Sequence, residues 1–346
     1  MLNVKPIEIW PTRALAKCRR TLLRNMPPKR RIGAGRMTAQ AKQQARRAIG
    51  RLSEARLRPT TVAKYNKAVV DFLEFLAWQE WEEATNLDDL DIQISDYIEY
   101  LWDVGWGTRN MAGFVINGTC HYLKKRRILP RSWDLWREWG KREKPHQAPP
   151  LPLKAWAALV GWAVKTGHAD WAAVVLIGYS AFLRSAEMCA LRWADLEVQT
   201  RSRRCSMVLH LSNTKTSQGA VELVVIDDAE VVRLVEQIRS RIVDLNAHIY
   251  AESLAQFRTI WCKGLRALSL EQHVFTPHSI RRGGAVHIFS AFKSLDTTIE
   301  RGRWKCISTA RLYINEGLNE LQNMQLQNAR HLESYHEYVK VLPDLF

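Results

Sequence analysis

The 346-residue sequence has no apolar run near the roughly 20 residues that a membrane span requires. The longest, Ala172 to Ile177, suits a buried helix, so no membrane partner is expected. No secretory signal is visible. The six cysteines, at positions 18, 120, 189, 205, 262 and 306, form no close CxxC pair. That argues against a zinc site, and for reduced intracellular thiols used as small core residues. Acidic residues are nearly missing from the first 58 positions, where only Glu8 and Glu54 stand against sixteen Lys or Arg. There is no internal repeat, and no low-complexity block beyond this basic arm.

What is present is a globular composition, 47% hydrophobic, with a formal charge of +16 and a pI near 9.8. Almost all of the excess charge lies in the arm. Beyond residue 58 the chain holds 35 basic and 33 acidic residues. A near-neutral body with a strongly basic arm suits a polyanion, and nucleic acid is the usual one. An Arg-rich, acid-poor arm also has the composition of an organelle transit peptide. It is poor in serine, however, and Pro27-Pro28-Lys29-Arg30-Arg31 interrupts any long amphipathic helix. The expectation is an intracellular protein, nuclear in a eukaryote and cytoplasmic or nucleoid-bound in a bacterium or phage-infected cell, with organelle import left open.

The length fits about two domains behind the arm of residues 1–57. A helix is predicted to start at Arg58-Pro59-Thr60-Thr61 with a threonine cap, carrying Val62, Tyr65, Val69, Phe72, Leu73 and Leu76 on one face. A second helix holds Ile94, Tyr97, Ile98 and Leu101, and a third runs from about Thr108 to Tyr122. Residues 58–145 therefore read as a small all-helical domain, with Trp78, Trp81, Trp102, Trp106, Trp133, Trp136 and Trp139 mostly in core or rim packing. Lys144 to Pro150 is the linker, proline-rich and polar. From residue 150 to 346 helices again dominate, one of them over Trp171 to Leu183. They are interrupted by strand patterns at Met207–Leu211 and Val221–Ile226 around a polar turn, with a third strand near Trp193–Val198. The fold class expected is mainly α with a small antiparallel β-sheet.

Three groups of residues carry chemistry. Arg184 ends an apolar helix, with Glu187 three positions on to hold it in place. Lys215 sits at the tip of the predicted hairpin. In the segment 278–314, His278 and Arg281 share a helix face, Gly283 and Gly284 allow close backbone approach, and Trp304 precedes Tyr313 by nine residues. Taken singly, each has an ordinary reading as an ion pair, a solvated charge or a packed ring. Together they fit phosphoryl transfer. Two planar guanidinium groups can bind the non-bridging oxygens of a phosphodiester more strongly as charge builds on them. Tyr313 can act as nucleophile, and His278 and Lys215 can move protons.

In this order and spacing the chain resembles the tyrosine recombinase, or phage integrase, family, whose pattern is Arg, a hairpin Lys, His-x-x-Arg, then His or Trp, then Tyr. Arg184, Lys215, His278, Arg281, Trp304 and Tyr313 fill the six positions, and Arg184 to Asp195 is similar to the family's R-x-x-E-h-x-x-L-x-W-x-D block. Trp304 in the His position resembles the Cre-like members. The resemblance covers about residues 58–320, by motif from 150 onward and by helical pattern alone before that. It implies a DNA breaking-rejoining fold with a SAM-like core-binding domain at 58–145 and a catalytic domain at 150–346. It further implies a double-stranded DNA substrate, a homotetramer across two sites, and a 3′-phosphotyrosyl intermediate at Tyr313 formed without metal, ATP or other cofactor. Two departures stand out: Ile280 for a more usual Leu, and Arg303 where many members have Gly. Neither is expected to touch the chemistry. Tyr335 and Tyr338 compete with Tyr313 as nucleophile but lack a Trp or His nine residues upstream. The tail after Asn315 either caps its own domain or docks on a neighbouring subunit.

The expected activity is site-specific recombination, in the integration or excision of a mobile element. Two rivals are a type IB topoisomerase-like enzyme, using similar chemistry on one duplex, and a catalytically silent domesticated DNA-binding protein.

Overall fold

The computed structural model describes residues 57–143, 147–199, 205–212 and 221–346, with four isolated positions in the arm. The rest of the arm, and Lys215 with its flanking turn, lie outside the described residues. The chain divides into two units, Met1–His146 and Gln147–Phe346.

The first unit is helical: α1 (Pro59–Trp78), α2 (Leu87–Asp103), α3 (Arg109–Tyr122) and α4 (Pro130–Arg142). Pro59 opens α1 because its missing N–H would have no intrahelical partner there. The predicted threonine cap is not used. Arg58 occupies the cap position without a side-chain bond, and Thr60 and Thr61 lie inside the helix. Asn86 caps α2 by accepting from Asp88 and Asp89 N–H, and those two carboxylates also suit the positive end of the helix dipole. Thr108 caps α3 through Met111 N–H. The start of α4 is capped from another helix. The buried Asp91 carboxylate of α2 accepts from Arg131 N–H (2.9 Å) and Ser132 N–H (3.0 Å). Phe72, Leu90, Ile94, Ile98, Leu101, Val115, Ile116 and Leu129 fill the core between the four helices. Helices α3 and α4 are also locked by a reciprocal pair, Arg109 Nε to Trp136 O and Trp136 Nε1 to Arg109 O.

Of the seven tryptophans expected in core or rim packing, Trp139 is buried and Trp133 and Trp136 are half-buried. Trp81 and Trp102 pack at the rim, edge-on to Phe75 and Trp139 respectively, whereas Trp78 (66% exposed) and Trp106 (62%) face solvent. They sit at the C-terminal ends of α1 and α2, where the buried positions of the helical period are already taken by Phe75, Leu76, Ile98 and Leu101.

The second unit places α5 (Leu153–Lys165) and α6 (Ala169–Ser180) at its centre. Every residue of α6 from Trp171 to Ser180 is buried. Two fully buried indoles have their N–H groups satisfied, Trp171 by Phe257 O and Trp261 by Phe275 O, both at 3.2 Å. After the short helix α7 (Ser185–Met188), the strands β1 (Leu196–Gln199), β2 (Ser206–Leu211) and β3 (Glu222–Ile226) form an antiparallel sheet in the order β1-β2-β3. Met207 pairs with Ile226 and Leu211 with Glu222, so Met207, Leu209, Leu211, Val224 and Ile226 face the core. Helices α8 (Ala229–Arg241), α9 (Leu254–Ala267), α10 (Pro277–Phe292), α11 (Leu295–Gly302), α12 (Ile307–Tyr313), α13 (Glu316–Gln325) and α14 (His336–Val341) complete the unit. The mainly α class with one small antiparallel sheet is as the sequence predicts.

Two local features position the site. Helix α6 stops at Ser180, short of the predicted Leu183, because Phe182 takes a left-handed conformation (φ +49°) and turns the chain. Helix α10 packs against α6 at van der Waals range through its glycines. A Cβ on Gly283 would fall 2.1 Å from Leu151 O, and one on Gly284 would fall 2.0 Å from Tyr179 O.

The tail caps its own unit. Leu326, Leu332 and Leu342 are buried in its core, Phe346 packs edge-on to Trp193, and Arg241 pairs with Asp344. Among the described residues no helix is long and apolar enough to cross a membrane.

Candidate active site

The site lies where the left-handed turn at Phe182, the N-terminal half of α10, the α11–α12 junction and α7 converge. Arg184 follows that turn and occupies the cap position of α7. Glu187, one turn on, accepts from the Arg184 backbone N–H with Oε2 (2.9 Å) and binds its guanidinium Nη1 with Oε1. The expected support of Arg184 by Glu187 is therefore in place.

Arg281 is fully buried, its Nη1 donating to Phe182 O and its Nη2 to Gly302 O at 2.6 Å. Burial, then the nearby charges of Arg184 and Arg303, hold its pKa down to about 10, which leaves it cationic at neutral pH. Its guanidinium carbon lies 5.1 Å from the Trp304 ring centre and 5.3 Å from that of Tyr313.

Gly302 lets Trp304 fold back over the chain, since a Cβ there would sit 2.2 Å from the indole. Trp304 is buried, stacks on Phe182 on one side, and lies with its ring centre 4.8 Å from that of Tyr313 on the other. Tyr313 ends α12 and is half-buried. His278, in the first turn of α10, has its ring 5.4 Å from Tyr313.

His278 presents area to solvent, yet dense protein beside the ring, followed by the guanidinium groups of Arg281, Arg282 and Arg184, holds its pKa down to about 4. The imidazole is thus neutral near pH 7 and able to accept a proton. For Glu187, burial pushes the carboxyl up. The Arg303 charge, with the backbone N–H and guanidinium of Arg184, outweighs burial and holds it below the usual carboxylate range.

Five of the six residues singled out as reactive, Arg184, His278, Arg281, Trp304 and Tyr313, are brought together with Glu187. The sixth, Lys215, lies outside the described residues. Tyr335 and Tyr338 pair with each other and with Lys165 of α5.

Arg303, not expected to touch the chemistry, packs directly behind the clamp. Its side chain is only 6% exposed, and its Nη2 donates to Glu187 Oε2 (3.0 Å) and Phe182 O (3.3 Å). The sequence signal was available: an arginine where a glycine is usual, directly after Gly302.

The arrangement is rich in donors and poor in acceptors. Arg281 Nε, Arg303 Nε and Nη1, and Trp304 Nε1 are buried without a hydrogen-bond partner among the described residues. Such donors cost free energy unless acceptors meet them, and an anion with several oxygens can meet more than one at once. Among the described residues no group of three or more His, Cys, Asp or Glu is placed to hold a metal.

Residues 158–319, which hold all of these positions, match the family described as the phage integrase family. These residues form a phage integrase family domain. Among similar solved structures, one is alike enough to support the fold. An integrase of the Tn1549 transposon, in complex with transposon right-end DNA, is 12% identical, with 79% of this chain and 96% of that one covered and a TM-score of 0.51. The XerH site-specific recombinase bound to difH substrate is 14% identical over 80% of this chain and 79% of that one, TM-score 0.48. The XerA recombinase is 15% identical over 79% and 94%, TM-score 0.37. Among curated proteins none matches the chain in sequence. In the integrase-family unit the α10 and α12 segments supply the candidate nucleophile and half of the clamp, and the α6–α7 turn supplies the rest.

Proposed function

We propose that the chain is a site-specific DNA recombinase in which Tyr313 is the nucleophile. The observation that carries this reading is the position of Tyr313: its ring lies between a neutral imidazole and the Trp304 indole, beside Arg281, in a pocket of unpaired donors. The Tyr313 oxygen attacks the phosphorus of a phosphodiester, its proton passing to His278. The bond to the 5′ oxygen breaks, leaving a 3′-phosphotyrosyl link and a 5′ hydroxyl. Arg184, Arg281 and Trp304 Nε1 meet the charge that builds on the non-bridging oxygens. The Lys215 side chain is the proposed proton donor to the leaving oxygen. Attack by a 5′ hydroxyl of a partner strand reverses the step. Bond energy is kept in the ester, so the reaction needs no ATP. A tetramer on two duplex sites, in the integration or excision of a mobile element, belongs to the same proposal.

The first unit would contact DNA with one side only. Residues 68–108 contain eleven acids and no Lys or Arg, whereas 109–143 contain nine basic residues and three acids. Arg126, Arg127, Arg137 and Trp133 line a groove of about 540 Å³ between α3 and α4. Duplex DNA would lie on this basic side, and the acidic ends of α1 and α2 would face away.

The test is trapping. A duplex from the DNA flanking the gene, nicked so that the 5′ hydroxyl diffuses away, should accumulate a detergent-resistant protein–DNA adduct. Normal binding with no adduct on any such duplex would support a silent DNA-binding protein instead. Relaxation of supercoils without site preference would support a topoisomerase.

A further inference from the structure

Arg303 occupies a position that should repel it. Its backbone is left-handed (φ +54°), which costs a residue with a Cβ and costs glycine nothing. Its guanidinium is buried, with Nε and Nη1 lacking hydrogen-bond partners among the described residues. A glycine would remove the strain and the buried charge together. The contacts it does make go to the two groups that anchor the clamp. Glu187 holds Arg184 on one carboxylate oxygen and Arg303 on the other. The Phe182 carbonyl accepts from both Arg281 and Arg303. Arg303 Nε also lies 3.8 Å from Glu222 Oε2, in the first residue of β3.

Charge gives these contacts a direction. Arg184 and Glu187 alone form a neutral pair, which would attract a phosphate weakly. With Arg303 present, three guanidinium groups, those of Arg184, Arg281 and Arg303, stand against the two carboxylates of Glu187 and Glu222, so the cluster keeps a net positive charge and Arg184 keeps attraction to spare. Position matters as well. A carboxylate fixed on both oxygens cannot swing, and a carbonyl fixed by two guanidinium groups cannot tilt away from Arg281.

We propose that Arg303 is a positioning residue for the strand-transfer reaction, holding Glu187 and the Phe182 carbonyl so that Arg184 and Arg281 are set and charged for a phosphodiester before it arrives. This rests on the recombinase reading above. Arg303 acts through the two clamp arginines and does not itself touch the reacting atoms.

The test compares full-length wild type with Arg303→Gly and Arg303→Lys. Glycine fits the backbone, so Arg303→Gly should melt at or above wild type and bind the nicked duplex within about threefold of it. Its single-turnover rate of adduct formation should fall at least tenfold, with Arg303→Lys recovering part of the loss through its charge. A structural role alone would lower melting and leave the rate per folded molecule intact, and that result overturns the proposal. So does a rate for Arg303→Gly equal to wild type. Absence of an adduct with wild type strikes the functional reading instead. Positioning is then read from binding of inorganic phosphate to the DNA-free protein by phosphorus NMR. Arg303→Gly should weaken it at least threefold, and an unchanged affinity overturns the proposal.

Discussion

Trp304 and Tyr313 lie with ring centres 4.8 Å apart and planes inclined by 34°, and the indole N–H beside them has no hydrogen-bond partner among the described residues. On the proposed mechanism the indole has two jobs that can be separated. Trp304→Phe keeps most of the stacking surface and deletes the donor. Stability should change by less than about 1.5 kcal/mol. Adduct formation should slow at least tenfold, because a donor aimed at the developing charge is lost. Melting curves and single-turnover trapping check the two halves. A Phe variant with full rate would assign Trp304 to packing alone.

Glu187 is 9% exposed and holds two guanidinium groups. Glu187→Gln leaves Arg184 without its counter-charge and Arg303 with only the more distant Glu222, at a cost of about 3 kcal/mol. Because the folded carboxyl titrates below its ordinary range, the stability it contributes is present above the unfolded pKa and is lost as pH falls through the folded value. Urea melts of wild type against Glu187→Gln should therefore converge in strong acid. Equal stability at pH 7 would contradict the buried bridge.

His278 gives a dependence of the same sign in a higher pH window. Its folded pKa is about 4, against an ordinary value near 6.5. Between those values the unfolded chain binds a proton that the folded chain refuses. Stability of the DNA-free protein should fall as pH drops from about 6.5 to 4, and this contribution should level off below that. His278→Gln should remove this component of the slope. Identical pH profiles for the two proteins would mean that the imidazole is not held neutral.

Gly283 and Gly284 reverse an ordinary rule. Alanine for glycine inside an exposed helix gains about 1 kcal/mol. Here the added methyl would meet Leu151 O or Tyr179 O near 2 Å. Gly284→Ala should instead destabilise by about 2 kcal/mol or more, and should shift α10, and with it His278 and Arg281. Calorimetry decides the sign.

These cases show what could be read from the chain alone. The helices of the first unit follow from periodic apolar positions such as Phe72, Ile94 and Ile116, and the sheet follows from alternation at Met207–Leu211. Such local patterns survive folding because each element buries the face its period defines. Arg184, His278, Arg281, Trp304 and Tyr313 were legible because their chemistry makes sense only as a set. The arginine in place of glycine at 303 could be seen, but its contacts could not, since they depend on a left-handed backbone and on partners more than a hundred residues away, Glu187 and Phe182. The early end of α6 at Phe182 and the exposure of Trp78 and Trp106 were missed for a related reason. Period identifies a buried face but does not say where a helix meets another element.

The central claim is that Tyr313 carries the DNA. The most direct measurement is mass spectrometry of the adduct trapped on a nicked duplex, digested to a peptide bearing a nucleotide remnant. The account predicts the remnant on the peptide containing Tyr313, with no adduct from Tyr313→Phe. A remnant on Tyr335 or Tyr338, or an adduct that survives Tyr313→Phe, would contradict it.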